Sequence, residues 1–112
     1  MSVVAEGDQL AVIGTDHTLA SVTAPAGGAV YQLLLDVHAM QPDDAVTVRV
    51  RAPVRPAGVV RTAYEATFDD AQADARKDSP ALYVAAGDTF VATLVQHHGT
   101  GRTFPYAIVR LR

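Results

Sequence analysis

His17, His38, His97 and His98 are the side chains of this chain of the type that binds metals most readily. His97 and His98 are adjacent, so on a strand they point to opposite faces and cannot hold one ion together. Zinc ligands come in pairs at set intervals, and His17 and His38 stand at no such interval. They read as turn or rim residues, and no metal site is expected. Asp43-Asp44 and Asp69-Asp70 fall in turn-like stretches, where aspartates bond nearby backbone amides. Acid–base chemistry needs two carboxylates in contrasting surroundings. Calcium needs oxygen ligands at fixed steps ending in a bidentate one. The sequence has neither pattern.

Gly99-Thr100-Gly101-Arg102-Thr103 has the outward form of a phosphate cradle. A P-loop requires a longer glycine spacing, then Lys-Ser/Thr, between a strand and a helix. Here strand-like residues flank it, so a hairpin turn exploiting glycine is the better reading. Serines and threonines are plentiful, but none sits in a nucleophile elbow. There is no cysteine, hence no thiolate chemistry and no disulfide framework, which leans against secretion. No catalytic residue and no cofactor are expected, and the chain does not read as an enzyme. Tyr31, Tyr64, Tyr83 and Tyr106 could stack on sugar rings, which keeps a carbohydrate-binding module for host attachment as an alternative. Against it, tryptophan is absent, and Tyr31 and Tyr64 fall in phase with core residues.

The net charge is −3 and Lys77 is the one lysine. Arg49, Arg51, Arg55 and Arg61 lie close in sequence, but Asp43, Asp44 and Glu65 flank them. These are solvated strand faces rather than a basic nucleic-acid footprint. No run approaches the roughly 20 apolar residues that span a bilayer, and the start has no basic, then apolar, leader pattern. Neither nucleic acid nor membrane is an expected partner. Nearly half the residues are apolar, which suits a small domain that buries surface twice, on folding and again on assembly.

The elements that must carry these residues are strands. Val46, Val48 and Val50 alternate with Thr47, Arg49 and Arg51, a period of two that sends three valines to a core and three polar groups to water. Tyr31, Leu33, Leu35 and Val37 share a face in the strongest strand, with Val30, Gln32, Leu34 and Asp36 on the other. Leu10–Ile13 and His17–Thr23 read as strands. Val59–Phe68 does too, with Val60, Tyr64, Ala66 and Phe68 inward and Arg61 and Glu65 outward. Asp69–Asp78 is polar and alanine-rich; it is expected as a loop followed by an irregular edge strand. Thr89–Gln96 is apolar on both faces and must be covered on both, by the core and by a partner or loop. The whole predicts an all-β fold, an antiparallel β-sandwich or jelly roll of roughly eight strands. Residues 1–8 are expected as an N-terminal arm or edge element, and 9–112 as a single domain.

The ending Gly99-Thr100-Gly101-Arg102-Thr103-Phe104-Pro105-Tyr106-Ala107-Ile108-Val109-Arg110-Leu111 is the most specific stretch. Thr18-Leu19-Ala20, Leu33-Leu34-Leu35-Asp36 through Ala39-Met40, and Tyr64 to Phe68 followed by Ala71-Gln72-Ala73 accompany it. Together they resemble a family of small, largely uncharacterised structural proteins of tailed bacteriophages. The chain departs from that pattern with Tyr106 where the family has tryptophan, and with His97-His98 in place of smaller polar residues. The resemblance implies a virion component assembled in the bacterial cytoplasm, best matched to a capsid decoration or cement protein. A neck, tail or fibre-base protein is the runner-up. The implied partners are the major capsid protein or other virion proteins, with the chain itself a homo-oligomer such as a trimer. The residues expected at such an interface are Val3, Val4, Val91, Val95, Arg102, Phe104 and Tyr106, with Met1 to Asp8 able to pair with a neighbouring sheet edge.

Overall fold

A computed structural model describes Met1–Arg112. It contains nine strands and no helix: β1 Ser2–Leu10, β2 Asp16–Thr23, β3 Ala29–Asp36, β4 Ala45–Pro53, β5 Val60–Asp69, β6 Arg76–Asp78, β7 Leu82–Val84, β8 Thr89–His98 and β9 Thr103–Arg110. They form two antiparallel sheets. One has five strands, in the order β1-β9-β3-β6 with β7 also on β3; the other has four, in the order β2-β8-β4-β5. Each sheet has one apolar face, and stacking the two faces removes both from water, giving a β-sandwich.

The core lies between the layers. Nineteen buried residues form one cluster, mostly from alternate positions of β3, β4, β8 and β9, with Leu19 of β2, Val84 of β7 and the loop residues Ala11, Ala24, Val37 and Met40 completing it. Tyr31 and Phe90 meet across it with ring centroids 5.6 Å apart. Side chains of this size each contribute about 1.5–3 kcal/mol when fully buried, so this seam is the main source of stability.

The expected alternation holds in β3 and β4, and the loop-then-edge reading of Asp69–Asp78 is matched by β6. Four details differ. Leu10–Ile13 is not a strand: β1 ends at Leu10, and residues 11–15 cross from one sheet to the other. The 1–8 segment is the first part of β1, paired with β9 from Ser2 to Leu10, so it is an edge strand that continues into the domain. In β5 the phase reverses at Ala63, where a bulge pairs Val50 with Tyr64 but Arg51 with Thr62. Arg61 therefore stands opposite buried Ala52 and Val60 opposite Pro53, the reverse of the expected facing, because one extra residue flips every side chain beyond it. The strand count is nine because Pro80, which lacks an N–H, interrupts the edge beside β3. Ser79 bridges the break, donating its N–H to the Leu33 carbonyl at 2.9 Å and accepting the Leu33 amide on Oγ at 2.9 Å.

The doubly apolar β8 is covered by its own sheet. It is central, between β2 and β4, so Thr93 and Val95 on its outer side are walled in by Thr18, Asp16, Arg49 and Thr47. No partner or loop is needed to bury them.

Candidate interaction surfaces

The glycine-rich ending is a structural knot. Asp44 sits in the loop between β3 and β4 with its side chain fully out of solvent, where its Oδ2 accepts Arg102 Nε at 2.8 Å and the Gln41 amide at 2.8 Å. Burial pushes the Asp44 carboxyl upward. The Arg102 guanidinium and the Gln41 amide together outweigh that and hold it below the ordinary aspartate value. The Thr100 amide adds a weaker pull from outside good hydrogen-bond geometry, so Oδ1 has no full partner. Gln96, also fully buried, donates to the carbonyls of His98 (3.0 Å) and Thr100 (2.8 Å) and accepts the Arg102 amide at 3.1 Å. Gly99 has φ of +94°, and a Cβ there would overlap Asp44 Oδ1; one at Gly101 would overlap the Ala11 carbonyl. The Gly-Thr-Gly-Arg spacing thus serves to dock a turn on two buried polar side chains.

The histidines are dispersed. His17 accepts the Val12 amide on Nε2 at 3.0 Å and lies 3.2 Å from Gln9 through Nδ1. His97 reaches Thr47 at 2.9 Å, and His38 pairs with Asp36 at 3.1 Å. No group of three or more His, Asp or Glu side chains could hold a metal ion. Among the tyrosines, Tyr31 is buried and Tyr64 half-buried. The Tyr106 hydroxyl donates to the Leu19 carbonyl at 2.7 Å. That carbonyl lies where β2 bulges, between Thr18 and Ala20, and the Tyr106 ring rests on Gly7 of β1. Tyr83 alone is exposed.

The seven residues expected at an interface do not form one surface. Val3 lies on the outer face of the five-stranded sheet, and Val4 at the β1 bulge beside it. Val91 and Val95 lie on the opposite side of the molecule, on the outer face of the four-stranded sheet. Val95 is buried there, and Phe104 is wholly inside the core, so neither side chain can touch a partner. Tyr106 faces inward to span the sheets, and Arg102 is held by Asp44. Sequence periodicity alone does not reveal which face of β8 or β9 is inner.

The two outer faces differ in chemistry. That of the four-stranded sheet is rich in hydroxyls, with Thr47 bonded to Thr67 and Arg49 paired with Glu65. That of the five-stranded sheet carries a strip of partly exposed apolar side chains across three strands, Val3 of β1, Pro105 and Ala107 of β9, and Val30 and Leu34 of β3 with Gln32 between them, while Val109 on the same face is buried. Glu6 and Asp8 border it on one side and the Arg76–Asp78 ion pair on the other. A shallow groove between Leu34, Pro105 and Ala107, reaching Ala75 and Arg76, runs along it.

The two ends also differ. Residues 11–15, 37–44, 70–75 and 99–102 meet at one end, which gathers Asp16, Asp36, Asp43, Asp44, Asp69, Asp70 and Asp74. Residues 24–28, 54–59 and 85–88 and both chain termini meet at the other, which gathers Arg55, Arg61, Arg110 and Arg112, with Asp88 as the one acidic side chain of its loops. This arginine end is also apolar: Val54 is 88% exposed, Val59 66% and Tyr83 64%. Tyr83 joins them, lining one hollow with Pro53, Val54 and Asp88 and another with Gly28, Val30 and Arg112.

Compared with known protein families and with curated proteins, the chain matches none.

Proposed function

We propose that this protein is a non-enzymatic structural component of a tailed-bacteriophage virion, a decoration or cement protein that bridges major capsid subunits. The observation that carries the reading is the apolar strip on the outer face of the five-stranded sheet, bordered by charges. An apolar centre with a polar rim is the anatomy of a protein–protein interface. It occupies the broad side of a rigid sandwich, so docking orders little further chain and retains most of its contact energy. The ending Gly99 to Leu111 supports the same reading through its resemblance to phage structural proteins. The strand order supports a jelly roll. Taking β6 and β7 as two halves of one interrupted strand leaves eight positions that change sheet at every step except the β4–β5 hairpin, as in two Greek keys.

The test is protein stoichiometry of purified particles, with a Leu34→Glu variant alongside. A decoration protein is present in numbers comparable to the capsid subunit. Leu34→Glu, half-buried on the strip, leaves the fold intact and abolishes incorporation. A few copies per particle, set by the symmetry of a neck or tail, would overturn the decoration role, and absence from particles would overturn the virion reading.

A further inference from the structure

We propose that copies of this chain associate end to end, the arginine end of one seated on the aspartate end of the next. This contact uses loops and strand ends rather than the Leu34–Pro105–Ala107 groove, so it goes beyond the docking proposed above and is tested separately.

Three observations converge. First, with the exceptions of Asp88 at the arginine end and Glu6 on a sheet face, the charges left without a partner near the two ends differ in sign. Arg55, Arg61, Arg110 and Arg112 have no carboxylate within ion-pair distance, and Asp16, Asp43, Asp69 and Asp74 have no cation. The cations nearest the aspartate end are already engaged, Arg102 with Asp44, Arg76 with Asp78, and Lys77 over the Phe68 ring at 5.2 Å. Second, both ends expose apolar side chains: Val54, Val59 and Tyr83 at one, Leu10, Val12 and Ile13 at the other. Opposed ends therefore match in charge and in apolar content, whereas like ends match only in the second. Third, the molecule is elongated, 43 × 27 × 18 Å, with the long axis along the strands, so the two ends face opposite ways. A contact between unlike ends leaves one free end of each kind, and such contacts propagate into open chains or close into rings.

The end face measures about 500 Å² from the two short extents, below the roughly 800 Å² per partner of a stable interface. The association is accordingly reversible and sensitive to salt, since exposed charges are screened over about 10 Å at 0.1 M.

Sedimentation velocity on the purified full chain tests this, with Arg55→Glu/Arg61→Glu and Asp16→Lys/Asp74→Lys as charge-reversed variants. None of these side chains makes a hydrogen bond within the chain, and circular dichroism checks that both variants fold. The wild type is expected to gain average mass with concentration at low salt and to lose it at high salt. Each variant alone loses affinity by about tenfold or more. An equimolar mixture of the two recovers association, because every contact again joins opposite charges. A single-chain mass at every concentration in low salt would overturn the proposal. So would unchanged association in either variant, which indicates contact between like ends, or failure of the mixture to recover.

Discussion

At the aspartate end, the 99–102 turn hangs from Asp44 and Gln96, two side chains that see no solvent. At the arginine end, the 54–59 hairpin is closed by its own backbone, the Gly58 amide on the Arg55 carbonyl at 2.9 Å. It has one outside tether, the Ala57 amide on Asp88 Oδ2 at 3.1 Å, and Ala57 itself sits at φ of +56°. The first end turns Asp44 and Gln96 inward and depends on them for its shape, while its other aspartates face water. The second turns apolar side chains outward and depends on almost nothing beneath it. In one small sandwich, a conspicuous motif therefore marks where the fold is secured, and plain valines and arginines mark where contact is available.

Removing Asp44 should break that contrast most severely. Asp44→Ala leaves the Gln41 amide without its acceptor and Arg102 without its anion. Because Arg102 keeps some solvent access, the loss is expected at the lower end of that for a broken buried pair, about 3 kcal/mol, measured by urea unfolding at neutral pH. The depressed pKa of Asp44 means that its stabilisation is complete above the unfolded aspartate value of about 4 and fades as pH falls through the lower folded value. The gap between wild type and Asp44→Ala should therefore narrow steadily in acid. A gap that is constant with pH would show that the carboxylate's charge is irrelevant.

Gln96→Leu removes three hydrogen bonds of the same turn while keeping the volume, and should cost about 2 kcal/mol. Hydrogen exchange should quicken at residues 99–102 before it does in β8. At the other end, Val54→Ser should change stability by no more than about 0.5 kcal/mol, because the side chain touches little. A loss comparable to that of Gln96→Leu would erase the distinction between the ends.

Much of this architecture is readable from the residues. The period of two in Ala29–Asp36 and Ala45–Pro53 survives because both strands are internal, with neighbours on either side enforcing the pleat. The turns at Gly27-Gly28 and Gly87 follow from glycine and aspartate chemistry. What periodicity does not convey is any event that adds one residue or places a side chain in the second dimension of the sheet. The Ala63 bulge inverted the reading of Val60 and Arg61 for the first reason. Val95 reads as an outward contact for the second: its burial comes from Asp16 and Thr47 on neighbouring strands far away in sequence. The docking of Gly99 on Asp44 is hidden in the same way, since the two are adjacent only once β4 has paired with β8. The apolar strip is half visible in sequence, in Val30 and Leu34, but its continuation through Pro105 and Ala107 depends on β9 lying beside β3.

Tyr106 belongs to one sheet by its backbone and to the other by its hydroxyl, and Gly7 is the floor under its ring. Peeling β1 away from β9 would remove that floor and open to water the ring whose hydroxyl ties β9 to the β2 bulge. Release of the N-terminal strand for exchange with a neighbouring molecule is thus coupled to opening the seam between the layers.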